Sequence, residues 1–499
     1  MYRQFNSLVK GTLIYGMIGG FRSGLEFLLL PIYCRFLSPE QFGTLDLLIL
    51  FITVASVASI LELPNGLFRY YFEQDTPENK NRLAASAVIW CLCSSLTILA
   101  AVFVFSAKMS LWLFNDSSSG LLLKLAAIFV VLDSVKTIPL NLLRVQNKPA
   151  EYGVISIIQI VAYILGVSIF VIAFGMAVKG ILLAKLVSET IALILAFKFS
   201  RFVWRLKFDW RMMKSVLAFS IPMIPAGMAI WGINSLNRMF LLKSAGSHQV
   251  GLFAMGSKFV VILVLTNIAF QLAWPQFAFG NMKSPHFREM LGKVFSLFFA
   301  IIIWQAMFLA IFGKMLIRLV ATPDFFEAAE VIFPLALGMV AYGLFYFFAT
   351  GAFIEKKTLK LLPAISVAML LNIPTNLILT PTYGPQGTAW VSVITYTTMA
   401  IAMFAISKSW KYIGFDGNAI MKLLIINSLA LIIGQSLIKM GGLAAHISAV
   451  VVFLSVPLAL MKSGAISPEI IKSIFDSRIF SRRESNLHES PYHHEKELV

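Results

Sequence analysis

Arg22 and Glu26 stand four residues apart inside the apolar run GGFRSGLEFLLLP, residues 19–31. Similar charges recur in later apolar runs. Asp133 and Lys136 are spaced i,i+3, Lys185 and Glu189 are spaced i,i+4, and Lys258 has no acid within four residues. Both spacings place a pair on one helix face. A charge facing lipid at mid-membrane costs about 3 kcal/mol or more, so these residues should face protein or trapped water. The bases Arg22, Lys136, Lys185 and Lys258 outnumber the acids Glu26, Asp133 and Glu189 by one. An anionic substrate would balance that excess. Arg22 suits phosphate best, because guanidinium is a planar fork of donors that stays protonated. An anion bound beside these cations would change the proton affinity of the neighbouring acids. Glu26, Asp133 and Glu189 are therefore candidates for coupling to an ion, H+ or Na+. For Asp133/Lys136 and Lys185/Glu189 a second reading stands beside this one, in which each pair only neutralises itself. Buried pairs seldom stabilise more than apolar replacements would, which weighs against a purely structural role.

The elements that must hold these residues are membrane helices. The chain is 59% hydrophobic and only 13% charged, with a mean hydropathy of +0.83. Apolar blocks of about 20 residues are long enough to cross a bilayer core. They number roughly fourteen, at 11–34, 41–62, 83–106, 120–142, 153–174, 180–199, 213–236, 249–272, 291–313, 329–353, 361–380, 386–407, 418–437 and 442–461. The short alternating segments of a β-barrel are absent. The longest internal polar connections lie near 63–82 and 198–212, and the tail 462–499 is polar. The N-terminus, MYRQFNSLVK, resembles a signal peptide, but the run after it is long and charged, so it reads as a retained first span.

Basic residues cluster in alternate connections. Arg69, Lys80 and Arg82 lie in one, Arg144 and Lys148 in the next, and Lys198, Arg201, Arg205, Lys207, Arg211 and Lys214 in a third. By the positive-inside rule both termini face the cytoplasm. The net charge of +17 then reflects topology and contact with anionic membrane lipids, and does not point to nucleic acid. Cys34, Cys91 and Cys93 form no disulfide framework; Cys91-x-Cys93 reads as packing. His488, His493 and His494 cluster in the polar tail, where they could bind a metal; a disordered tail is the preferred reading, and no metal site is expected.

An internal repeat is visible. QFGTLDLLILF (41–51) matches QVGLFAMGSKF (249–259), and Gly180 of FGMAVKGILLAKL matches Gly387 of YGPQGTAWVSVI. The common shift of about 208 residues spans six helices, an even number, so both copies keep one orientation. The expected fold is an all-α integral membrane protein of two parallel-repeat six-helix lobes, 1–199 and 200–412. Two extra helices at 413–461 and the cytoplasmic tail 462–499 complete the chain. Two such lobes enclose a cleft suited to alternating access. On the first span, Gly16, Gly20 and Gly24 form a small-residue strip on a different face from Tyr15, Arg22 and Glu26.

Several segments carry a family resemblance. LEFLLLPIYCRFLSPEQFGTLDL (25–47), GLFRYYFE (66–73), LLRVQNKPAEY (142–152), FSIPMIPAGMAIWGINSLNRMFL (219–241), LAWPQFAFG (272–280) and LNIPTNLILTPTYGPQGTAWVS (371–392) occur in the order and spacing of one family. Together they resemble the polysaccharide-transporter family, the Wzx-type O-antigen and exopolysaccharide flippases. These are relatives of the multidrug extruders and lipid II flippases. The resemblance implies a flippase, not an enzyme, that moves an undecaprenyl-pyrophosphate-linked oligosaccharide across the bacterial inner membrane. It also implies ion-coupled antiport, a cationic cavity with Arg22 at a position where relatives often have arginine, and a polysaccharide polymerase and chain-length regulator as partners. Family members often have an acid before the arginine of the seventh helix; here Asn237 precedes Arg238. The alternatives are a multidrug or small-molecule antiporter of the same fold, which the basic deep residues disfavour, and a membrane polysaccharide polymerase, which the short outward loops disfavour.

Overall fold

The computed structural model describes residues 27, 29–114, 119–146, 148–200, 208–221, 224–280, 282, 284–355 and 357–466. Arg22, Glu26 and the tail histidines lie outside them. The described residues are almost entirely helical, with no strand among them. In chain order the helices are α1 (Leu30–Phe36), α2 (Pro39–Ile60), α3 (Leu63–Phe72), α4 (Pro77–Phe114), α5 (Gly120–Val145), α6 (Pro149–Val167), α7 (Ala177–Ser200) and α8 (Trp210–Ser220). They continue as α9 (Ile224–Phe259), α10 (Val261–Gly280), α11 (Phe287–Val320), α12 (Ala329–Phe348), α13 (Thr350–Ile354), α14 (Leu361–Ser407), α15 (Gly417–Met440) and α16 (Leu443–Lys462). Among the described residues nine helical stretches are long and apolar enough to span a membrane, and a pair bent by 53° around residue 260 makes a tenth. Among the described residues helix lies in each expected span from the second to the fourteenth, the seventh being divided between α8 and α9.

Local sequence explains where they begin and break. A reciprocal cap starts α2: the Ser38 hydroxyl accepts from the Gln41 N–H at 3.3 Å, and the Ser38 N–H donates to Gln41 Oε1 at 3.1 Å. Pro39 fits the first turn, where its missing N–H costs nothing. Gly384, at φ +55, reverses the chain inside α14, so Thr388 returns to hydrogen-bond Thr380 at 3.2 Å. Gly246, at φ +82, breaks α9. Both conformations favour glycine, which has no Cβ to clash.

The polar connection after α2 holds more helix than its polarity suggests, and the expected span 213–236 begins with a short helix of its own. Helices α3 and α8 are short and amphipathic, and they pack together. Leu63 and Leu67 share a buried cluster with Met213, Val216 and Leu217.

The chain falls into two compact units. One takes the chain to Leu265 together with Phe312–Tyr342 and Leu359–Ala402. The other takes Thr266–Ile311, Gly343–Thr358 and the chain from Met403. Aromatic rings build much of the second unit's core: Phe270 stacks on Phe298, and Trp304 on Phe453 at 4.5 Å.

Within the first unit the repeat has a physical counterpart. A methyl group on Gly43 would overlap the Ser247 carbonyl oxygen, and one on Gly251 would overlap that of Pro39. Residues 39 and 43 differ from 247 and 251 by the repeat shift of 208. The crossing of α2 and α9 is therefore reciprocal: each copy of the motif presses its glycine on the same place in the other copy.

Candidate functional site

Among the described residues the deep charges Asp133, Lys136, Lys185 and Glu189 lie on α5 and α7 of the first unit, and Lys258 lies on α9. Asp133 and Lys136 lie one turn apart on α5, and Lys136 Nζ is 3.5 Å from Asp133 Oδ1. Lys136 also forms an ion pair with Glu189 of α7. Lys136 is 3% exposed and Glu189 1%, so this pair is shut away from solvent. Gln159 Nε2 donates to Glu189 Oε2 at 2.8 Å and helps satisfy the carboxylate. Asp133 is more open, at 24% exposed, and accepts from the Ser56 hydroxyl at 3.1 Å. Sequence spacing joined Lys185 to Glu189. In the structure Glu189 reaches across to α5, and Lys185 lies 5.2 Å from the Tyr163 ring centroid and 5.9 Å from that of Phe129. A cation over an aromatic face gains electrostatic stabilisation from the ring.

Two cavities meet at Lys185 and Ile49. The larger, of about 420 Å³, is lined by Thr53 and Ser56 of α2, Glu62 at the start of α3, and Asp133 and Thr137 of α5. The smaller, of about 30 Å³, is lined by Tyr33, Asp46, Tyr163 and Lys258. Lys185 and Lys258, which sequence placed on separate spans, thus share a wall. Tyr33 and Tyr163 join α1 to α6 through a 2.6 Å hydrogen bond between their hydroxyls.

Sequence reasoning missed Asp46. It forms an ion pair with Arg238 of α9, whose guanidinium also sits 5.6 Å from the Phe253 ring centroid. The pair lies one turn beyond the Gly43 crossing and ties α2 to α9. The available signal was a lone acid a few residues inside the second span. Adding Asp46 and Arg238 leaves the deep excess at one positive charge.

Asn237, beside Arg238, anchors a neutral network. Its Oδ1 accepts from Asn372 Nδ2 at 3.0 Å and Asn376 Nδ2 at 2.8 Å, and its Nδ2 donates to Ser392 Oγ at 3.0 Å. Thr395 and Thr380 extend it. Asn237, Asn372, Asn376, Thr380 and Thr395 are each 0–1% exposed. A buried polar group costs little only when paired, and these amides pair with one another. Among the described residues, no cluster of three or more His, Cys, Asp and Glu could hold a metal ion.

Residues 32–330 match a family model described as a polysaccharide biosynthesis protein. No curated protein matches the sequence. Among solved structures, a lipid II flippase, MurJ, in an inward closed conformation superposes with a TM-score of 0.67 at 15% identity, covering 91% of this chain and 98% of its own. An inward-facing multidrug resistance transporter of the MATE family and MOP superfamily superposes with a TM-score of 0.63 at 14% identity, covering 78% and 94%. A MOP superfamily transporter from Pyrococcus furiosus gives 0.52 at 15% identity, covering 81% and 95%. At these identities the likeness is one of fold.

Proposed function

The chain belongs to the polysaccharide biosynthesis protein family, and on that premise we propose that it is a flippase for lipid-linked oligosaccharide. Its substrate is an undecaprenyl-pyrophosphate-linked O-antigen or exopolysaccharide repeat unit, carried across the bacterial inner membrane by alternating access of two lobes, 1–199 and 200–412. Both termini face the cytoplasm. A proton or sodium gradient drives exchange through the acids Glu26, Asp133 and Glu189. A polysaccharide polymerase and a chain-length regulator take up the exported glycan.

The observation that carries this reading is the pairing of Lys185 with Lys258 on one cavity wall, in a fold shared with lipid-carrying and drug-exporting transporters. Two ammonium groups at the edge of a protein-lined space attract a pyrophosphate and repel a cationic drug. Arg22 and Lys136 complete the cationic set, Arg22 as the fork for phosphate.

Proteoliposomes loaded with fluorescent undecaprenyl-pyrophosphate oligosaccharide test the proposal through the share of glycan accessible to an impermeant glycosidase. The intact protein should translocate the lipid. The double variant Lys185→Ala/Lys258→Ala should slow translocation about tenfold or more, the loss of at least one charge-assisted hydrogen bond. Equal rates for the variant and the intact protein, or transport of a lipophilic cation in place of the lipid, would overturn it.

A further inference from the structure

One face of α2 runs the length of both cavities. Asp46, Ile49, Thr53, Ser56 and Ile60 recur at steps of three and four residues, the spacing of a single helical stripe. From Asp46 to Ile60 the stripe rises about 21 Å. The chemistry changes along it. At the Asp46 end the cavity walls carry the ammonium groups of Lys185 and Lys258, the phenols of Tyr33 and Tyr163, and the Asp46 carboxylate, which its ion pair with Arg238 neutralises. At the other end they carry the carboxylates of Asp133 and Glu62 with the hydroxyls of Ser56 and Thr137.

No pyrophosphate would settle against two carboxylates, because like charges repel strongly in a partly desolvated site. Sugar hydroxyls would. Each can donate to a carboxylate oxygen and accept from a hydroxyl. The protein's own hydroxyls are already committed as donors: Ser56 to Asp133 Oδ2, and Thr137 to the Asp133 carbonyl at 2.8 Å. Their lone pairs remain as acceptors for a ligand. Glu62 is held at this end by Asn65, whose Nδ2 donates to Glu62 Oε2 at 2.8 Å. Glu62 sits at φ +56, directly after Leu61 at φ +49. Two successive non-glycine residues in the left-handed region are costly and persist only where the surroundings fix them.

From this polarity we infer that the larger cavity binds its substrate in one orientation, with the pyrophosphate at Lys185, where the cavity meets the smaller one that Lys258 lines, and the glycan at the Glu62–Asp133 end. Glu62 then reads the sugar and determines specificity. The inference rests on the flippase reading and adds to it the part of the site that discriminates among glycans.

Binding to the purified full-length protein separates the two ends. The probes are undecaprenyl pyrophosphate without sugar and undecaprenyl pyrophosphate carrying the oligosaccharide extracted from the host membrane. The variants are Glu62→Asn, which tolerates the left-handed backbone, Thr137→Val, which keeps the side-chain shape, and Lys185→Gln. The intact protein should bind the glycosylated lipid more tightly than the bare one. Glu62→Asn should weaken the glycosylated lipid about tenfold and leave the bare lipid within about twofold, the signature of one lost charge-assisted contact. Thr137→Val should act in the same direction, and Lys185→Gln should weaken both lipids alike. If Glu62→Asn and Thr137→Val leave the preference for glycosylated lipid intact, or weaken both lipids equally, the inference fails and the flippase reading stands. If the intact protein binds neither lipid, the flippase reading itself fails.

Discussion

Individual charges govern the first unit's interior, and the Lys136–Glu189 pair shows how closely they depend on one another. Both partners are almost wholly buried, so removing one leaves the other without compensation. Glu189→Leu or Lys136→Met alone should cost about 3–5 kcal/mol of stability, whereas the double variant should recover most of that loss. Thermal unfolding of the purified protein in detergent, run as a double-mutant cycle, would measure the coupling. A loss in the double variant equal to the sum of the two single losses would mean that the pair does not act as a unit. The presence of these residues was legible in the sequence, because a lysine inside an apolar run stands out. Their partners were not. The i,i+4 rule sees only contacts within one helix, while Lys136 and Glu189 lie on separate helices 53 positions apart. The amides of Asn372 and Asn376 escaped notice for another reason: they are neutral, and each alone looks like an ordinary polar residue in a long helix, so Asn237 stood out only by its place before Arg238 and not by its partners.

At the scale of elements, close approach of backbones does what charges do at the residue scale. The α2–α9 crossing has no room for a side chain at Gly43 or Gly251. Gly251→Leu should push the helices apart, pull Asp46 from Arg238, and cost about 1–3 kcal/mol by overpacking. Thermal unfolding of the purified variant in detergent would read that loss against the parent protein. An unchanged midpoint would show that the crossing tolerates bulk. The spans themselves were legible, since runs of about twenty apolar residues leave little choice of structure. Helix α3 was not: at ten residues, with charge on one side, it reads as a loop, while α8 reads as the start of the span 213–236 and not as a separate amphipathic helix packed on α3.

For the whole molecule, the distribution of lysine and arginine predicts which ends of the helices face the cytoplasm. In a background lacking Cys34, Cys91 and Cys93, Lys179→Cys should react with an impermeant maleimide added outside cells, and Arg69→Cys should react only after lysis. The opposite pattern would invert the topology. Both residues are exposed, so reactivity reports sidedness and not burial. The glycine crossing has one more consequence, which concerns ancestry. Reciprocal contact between two copies of one motif is how a homodimer meets across its own twofold axis. In a true dimer every residue at that axis appears twice, so an aspartate at position 46 would bring a second aspartate with it. Position 254, its counterpart by the repeat shift, is alanine, and the single carboxylate faces a single arginine. Two copies within one chain are free of that constraint: at this crossing the carboxylate stands on α2 alone, where a dimer of either copy would hold two.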